Sequence, residues 1–210
     1  AALLTPIAKA FFTDMGFEST VAGQQVCGGH GFIREWGQEQ LVRDTRITQI
    51  YEGTNGIQAI DLIKRKLIFN KGKTLNVLCE QIKAFCHAFD SRHENLQMFP
   101  DILREHVDEW QALSQQLINS TNANYQFSIA VEYQDYSAYI LVAWMWAKQV
   151  QAAQNALDAN DGDTSFMQSK IHTATFYYEK ILPRTRSLVT SMRCDTQALM
   201  ALDESQFLFV

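Results

Sequence analysis

A chain of 210 residues and 24.0 kDa is long enough to bury a sizeable core in one or two domains. Its formal net charge of −5 and pI near 5.5 weigh against nucleic acid as a partner, since neutralising phosphates needs a basic face and no Lys/Arg block extends beyond Lys64–Lys66. The longest strongly apolar run, Tyr139–Ala147, falls well short of the roughly 20 residues a spanning helix requires, so no transmembrane segment is expected. Hydrophobic residues at 47% and charged residues at 20%, with only three prolines, describe a soluble globular chain rich in helix. Ala1–Phe12 is apolar but lacks the basic start and cleavage pattern of a signal peptide. Cys27, Cys79, Cys86 and Cys194 form no C-x-x-C pair and suggest no disulfide framework, which fits a reducing, cytoplasmic setting. The chain does not begin with Met, and we expect it to be part of something longer.

In chain order, Thr5-Pro6 reads as a helix start, a capping hydroxyl followed by proline in the first turn. Ile7, Phe11, Met15, Ala22 and Val26 then share one face at helical spacing, and the helix should stop at Gly28-Gly29. Gly28, Gly29 and Gly31 let the backbone turn sharply and let another group approach it, although a plain helix end explains them as well. Gly37–Ile50 reads as a second helix with Arg43, Asp44 and Arg46 on a charged face; Tyr51-Glu52-Gly53 interrupts it. Thr54 or Asn55 caps a third helix, in which Asn55 and Gln58 resemble a capping box and Ile57, Ile60, Ile63 and Leu67 supply the buried stripe.

The character changes at Asn70–Lys73, for nine of the ten glycines lie at or before Gly72. We place a boundary there, dividing the chain into residues 1–71 and 72–210. Beyond it, Leu75, Leu78, Ile82, Phe85 and Phe89 recur at helical spacing, as do Leu103, Val107, Trp110 and Leu117. Ala130–Val150 is apolar over much of its circumference, and Ile171, Ala174, Tyr178, Ile181, Thr185, Leu188 and Met192 mark a last long helix that Pro183 should kink. Four such helices joined by short loops imply a four-helix bundle. A short helix near Thr196–Leu202 and an apolar tail, Phe207–Val210, close the chain.

The bundle offers little chemistry. None of His30, His87, His93, His106 and His172 follows a Glu at the spacing of a di-iron site, and Cys79, Cys86 and His87 lack a fourth partner at zinc-like spacing, so no metal is expected. Those cysteines are read as buried or interfacial side chains. Asp158–Asp163, DANDGD, has its glycine one position too early for a calcium loop and no bidentate Glu after it; it reads as a solvated acidic turn. Trp110, Tyr133, Trp144 and Trp146 are read as core, with room for some to face a neighbouring subunit.

The remaining candidate is Glu52, which spacing alone would leave as a cap or a surface charge. Its surroundings, RDTRITQIYEGTNGIQ over Arg43–Gln58, together with QVCGGHGF over Gln25–Phe32, resemble the carboxy-terminal helical region of acyl-CoA dehydrogenases across about Thr5–Leu67. The continuation TNGIQAIDLIKRKL and the later MALDESQF are similar to the long subgroup, which includes methylmercaptopropionyl-CoA dehydrogenases and carries an extra helical domain. The resemblance implies an all-α fold: part of the dehydrogenase's carboxy-terminal helical domain, then the bundle-like extension.

It also implies roles. Glu52 matches the family's usual base, which removes the α-proton of the acyl thioester while the β-hydrogen leaves as hydride to flavin N5. A base for a weak carbon acid works best when desolvated. Gly53 leaves room for substrate or flavin, and Thr54 matches a flavin-contacting position at a helix N-terminus. Gln25 and Gly29 match positions that contact the nucleotide half of an FAD held mainly by a neighbouring subunit. Many members have a flavin-contacting Gln two residues after the Thr, where this chain has Gly56. Arg43 and Arg46 are read as structural ion-pair residues with Asp44 as one partner. The implied partners are an acyl-CoA, an electron-transfer flavoprotein and further copies of the chain in a homo-oligomer. The family's amino-terminal helical and middle β-domains have no counterpart here, so these 210 residues alone are expected to be inactive and flavin-free. A non-catalytic assembly module and an acyl-CoA oxidase are the rival readings.

Overall fold

The computed structural model of the chain describes residues 2–89 and 92–207, and no strand occurs among them. Helix α1 spans Leu4–Val26. Thr5 and Pro6 lie inside its first turn rather than at the cap, because a first-turn N–H has no intrahelical partner to lose and proline is tolerated there. The helix ends at Cys27, whose N–H reaches the Gly23 carbonyl at 3.2 Å, and Gly28 turns the chain with φ 56° into the short α2, Gly29–Phe32. Only the first half of α1 supplies core: Ile7 and Ala10 are buried and Phe11 packs against them. The expected stripe does not continue in this chain, since Val26 is 88% exposed.

A 3-10 turn, Arg34–Trp36, and Gly37 in the left-handed region lead into α3, Gln38–Arg46, which a second 3-10 turn extends through Gln49. Helix α3 packs on α1, where Gln38 Nε2 donates to the Thr20 carbonyl at 3.0 Å. The expected arginine pairing is different in detail. Arg43 pairs with Glu39 one turn back at 2.7 Å, Arg46 donates to Gln49 and lies over the Phe17 ring, and Asp44 accepts from Gln40. The i,i+4 geometry of Glu39 before Arg43 is the favoured order on a helix, and Asp44, adjacent in sequence to Arg43, points elsewhere.

Helix α4, Asn55–Asp61, runs on into a π-helical stretch, Leu62–Ile68. Its buried face is Ala59, Leu62, Ile63 and Leu67, while Ile57 and Ile60 are exposed. The predicted stripe assumed an α-helical period throughout; the wider π turn shifts the phase and turns the first two isoleucines outward. Lys71 and Gly72, both at positive φ, then reverse the chain.

The bundle consists of α5 (Lys73–Ala88), α6 (Met98–Asn119), α8 (Ala130–Asp158) and the pair α9 (Thr164–Phe176) and α10 (Thr185–Met192), with the short α7 (Ala123–Ser128) before α8 and α11 (Gln197–Met200) at the end. Leu75, Ile82, Leu103, Val107, Trp110 and Leu117 are buried as their spacing predicts, and so are Cys79 and Cys86. Burial pushes the Cys79 thiol up to about 12 and the Cys86 thiol up to about 11. Pro183 cannot donate to the preceding turn, and the last helix adapts as a π stretch, Tyr177–Ile181, followed by a 3-10 turn, Leu182–Arg184, that separates α9 from α10. Tyr177 and Tyr178 fasten this irregular segment by donating to the Tyr139 and Ala143 carbonyls of α8 at 2.9 and 3.0 Å. Asp163 caps α9, and Asp158, at the other side of the acidic turn, accepts from His93 and pairs with Arg92. Of the expected apolar tail, Phe207–Val210, Phe207 is exposed and residues 208–210 lie outside the described residues.

The core passes without a break from α1 and α4 into the bundle. Helix α8 is its centre, touching α1, α4, α6, α9 and α10, and Gln134 on α8 donates from a buried position to the Pro6 carbonyl at 3.0 Å. This arrangement holds α1 and α4 as a rigid platform, and the loop that carries Glu52 is mounted between them.

Candidate functional site

The loop Ile50–Thr54 joins a 3-10 turn to α4 and contains two residues in the left-handed region, Glu52 at φ 55° and Gly53 at φ 86°. For Gly53 this conformation costs nothing; a Cβ there would also sit 3.2 Å from Gln58 Nε2. For Glu52 it costs of order 1–2 kcal/mol, which surrounding contacts must offset. Three contacts do so. Gln58 Nε2 donates to the Glu52 carbonyl at 3.1 Å, Thr54 Oγ1 accepts from the Ile57 N–H at 3.4 Å as the cap of α4, and Asn55 is tied to α1.

Asn55 and Gln58 therefore do not form the expected capping box. Gln58 reaches past the cap to Glu52, and Asn55 is drawn into a tertiary network. Its side-chain oxygen accepts from Lys9 Nζ at 2.7 Å, and its nitrogen donates to Asp14 Oδ1 at 2.7 Å and to Thr13 Oγ1 at 3.0 Å. Gln49, on the other side of the loop, donates to the same Asp14 oxygen at 2.5 Å. Sequence reasoning missed Asp14, Lys9 and Gln49, because partners more than thirty residues apart leave no periodic signal.

Glu52 is exposed in this chain and borders an open cleft of about 440 Å³ between the start of α1 and α4, with Gly53, Ile57 and Gln58 on the same rim. Asp61 in that cleft is paired with Arg65 at 2.7 Å. The chain by itself does not desolvate the carboxylate. Glu52, Gly53 and Thr54 are contiguous, but Gln25 and Gly29 are elsewhere. Gln25 sits at the far end of α1, about 16 Å along the helix from Asp14, where the loop is docked, and Gly29 lies just beyond it at the start of α2. Both are exposed, and among the described residues nothing approaches the space a Cβ would occupy at Gly29. The candidate residues thus form two separate exposed patches.

A family profile described as "Acetyl-CoA dehydrogenase C-terminal like" matches residues 78–203, and another, "Acyl-CoA dehydrogenase, C-terminal domain", matches residues 2–67. The chain belongs to the acyl-CoA dehydrogenase family. Its relatives include a 3-methylmercaptopropionyl-CoA dehydrogenase of Ruegeria pomeroyi, 32% identical over 87% of this chain and 31% of the relative. A broad-specificity linear acyl-CoA dehydrogenase of Mycobacterium tuberculosis is 27% identical over 98% of this chain and 35% of its own length. A butyryl-CoA dehydrogenase of Syntrophomonas wolfei is 28% identical over 95% of this chain and 33% of its own. The chain therefore spans about a third of the curated relatives it matches, and corresponds to the carboxy-terminal part of such enzymes.

Enzymes of this family generally use FAD, and the residues present fit one side of such a group. The first amides of α4, Asn55 and Gly56, have no intrahelical acceptor, the Thr54 hydroxyl has its proton to give, and positive-φ Gly53 removes the side chain that would crowd a planar ring. Gly28 and Gly29 offer a second bare backbone surface. No helix of the described residues is long and apolar enough to cross a membrane.

Proposed function

We propose that this chain is the base-bearing carboxy-terminal part of a flavin-dependent acyl-CoA dehydrogenase that converts an acyl-CoA into its trans-2-enoyl-CoA. The observation that carries the reading is Glu52 held in a left-handed conformation at the rim of a cleft, next to a bare glycine and the open end of a helix. A carboxylate offered at the tip of a fastened loop, with no side-chain partner among the described residues, suits proton abstraction from carbon.

In this reading Glu52 takes the α-proton from the acyl thioester and holds it. Gly53 lets the acyl chain and the ring system approach the carboxylate. Thr54, with the N–H groups of Asn55 and Gly56, would donate hydrogen bonds to the flavin. FAD, when bound, supplies the acceptor for the β-hydride. Gln25 and Gly29, being remote from Glu52, would contact the nucleotide half of a different FAD, one held by a neighbouring copy in a homo-oligomer. The exposed Glu52 needs the rest of the polypeptide to exclude water from it, so residues 1–210 alone are inactive and hold no flavin.

We divide the chain into residues 1–71, part of the catalytic helical domain, and residues 72–210, an added bundle; the two profile matches fall on either side of this boundary. The electron acceptor is an electron-transfer flavoprotein and the setting cytoplasmic. The test is product analysis with the full-length polypeptide that contains this segment. With a straight-chain acyl-CoA and an artificial electron acceptor, enoyl-CoA accumulates and oxygen is not consumed in its absence. Rapid oxygen uptake without acceptor would make the protein an oxidase, and no enoyl-CoA under either condition would leave an assembly module.

A further inference from the structure

We propose that Asp14 is a positioning residue for the reaction, fastening both ends of the Glu52 loop to α1 through a single carboxylate oxygen. The inference rests on the assignment of Glu52 as the base. Gln49 and Asn55 bracket the loop Ile50–Thr54, and their side-chain nitrogens both donate to Asp14 Oδ1, at 2.5 and 2.7 Å. Asp14 lies on the rigid, core-anchored part of α1, one turn beyond buried Ala10. The three polar residues are each half-buried, which shields these hydrogen bonds from competing water.

The orientation of the Asn55 amide follows from its partners. Lys9 can only donate, so it must meet the amide oxygen, and ionised Asp14 can only accept, so it must meet the nitrogen. The second amide hydrogen serves Thr13 Oγ1 and the Ala10 carbonyl. Every group of the Asn55 side chain is thereby spent on α1, and the direction in which α4 begins is fixed. Gln49 fixes the direction in which the preceding 3-10 turn ends. A loop with both ends pinned to one atom retains few conformations, and that restriction is what a non-glycine residue at φ 55° requires. Without the clamp, Glu52 relaxes from the left-handed region and its carboxylate swings away from the place it must occupy.

The clamp is bonded through charge-assisted contacts, so a neutral acceptor weakens it and an apolar residue removes it. The test uses the full-length polypeptide with Asp14→Ala, Asp14→Asn, Gln49→Ala and Glu52→Gln variants, and two readouts. One is amide exchange of residues 50–54 relative to α8; the other is the rate of anaerobic flavin bleaching at saturating acyl-CoA, with its half-saturation concentration. Asp14→Ala speeds loop exchange by about tenfold or more while α8 stays protected. It slows bleaching by about 10- to 100-fold with little change in half-saturation, the cost of a base displaced by about an ångström. Asp14→Asn, whose amide oxygen still accepts from both neighbours, recovers most of that loss. Gln49→Ala cuts one arm only and gives a smaller loss in the same direction, which covers the case of an Asp14→Ala protein that does not fold. Loop exchange unchanged in Asp14→Ala and Gln49→Ala would overturn the clamp. Wild-type bleaching in Asp14→Ala, with Glu52→Gln dead, would overturn the positioning role alone. Bleaching that survives Glu52→Gln would remove the base assignment and with it the purpose given to Asp14.

Discussion

Replacing Asp135 by Asn isolates an electrostatic cost built into the junction between α1 and the bundle. Burial, followed by the neighbouring carboxylates Asp14, Glu132 and Glu18, raises the Asp135 carboxyl from 3.8 to about 6. Such a rise corresponds to at most about 3 kcal/mol, at roughly 1.36 kcal/mol per pKa unit. Solvent reaches this half-buried side chain and screens the charges, leaving about 1–2 kcal/mol. The sign follows from proton counts. With its folded pKa above the unfolded one, Asp135 makes the native chain hold more protons than the unfolded chain between about pH 4 and pH 6, so stability falls as pH rises through that window. Above it the full cost is present, and below about pH 4, where both states are protonated, the cost vanishes. Asp135→Asn keeps the shape and removes the charge. Urea unfolding of the chain should show the variant more stable than wild type by about 1–2 kcal/mol near pH 7.5 and about equal to it near pH 4. A difference that is the same at both pH values would refute the argument.

Other consequences are read from single sites. Cys79 and Cys86, buried and with thiols pushed up to about 12 and about 11, should resist a thiol reagent in the native protein, whereas exposed Cys27 and Cys194 react at once; four fast thiols would contradict the packing of α5. Gly31→Ala should destabilise by about 1–3 kcal/mol, because a Cβ there overlaps the Gln24 carbonyl and comes within 2.8 Å of Cys27 Cβ, and thermal unfolding would register it. Tyr133→Phe should cost about 1–2 kcal/mol in urea unfolding, since the Tyr133 hydroxyl donates to buried Ser114 Oγ at 2.6 Å while Ser114 spends its own proton on the Trp110 carbonyl.

Most of the bundle was legible in the sequence because its information is periodic. Leu103, Val107, Trp110 and Leu117 repeat at helical spacing, and burial on one face follows directly. The reading failed where the period itself changes. Ile57 and Ile60 were assigned to the core on an α-helical count, and the π turn that follows moves the buried face to Ala59 and Leu62. Val26 fits the stripe of α1 by spacing, yet it is exposed among the described residues. At the candidate site the motif located Glu52, Gly53 and Thr54 on a loop before a helix, and the structure agrees with that local placement. The left-handed backbone of Glu52 and the Asp14 tie across to Gln49 and Asn55 were hidden, because Asn55 has a plausible local role as a cap and its tertiary role depends on where α1 passes. Asp44 was paired with arginine by proximity in sequence, whereas helix geometry gives Arg43 to Glu39.

The central claim is that Glu52 is the base of an acyl-CoA dehydrogenase, and anaerobic flavin bleaching by acyl-CoA tests it most directly. In the full-length polypeptide, wild type should bleach on addition of a suitable acyl-CoA, and Glu52→Gln should bind the same ligand without bleaching. Equal bleaching in both proteins would contradict the account and place the base elsewhere.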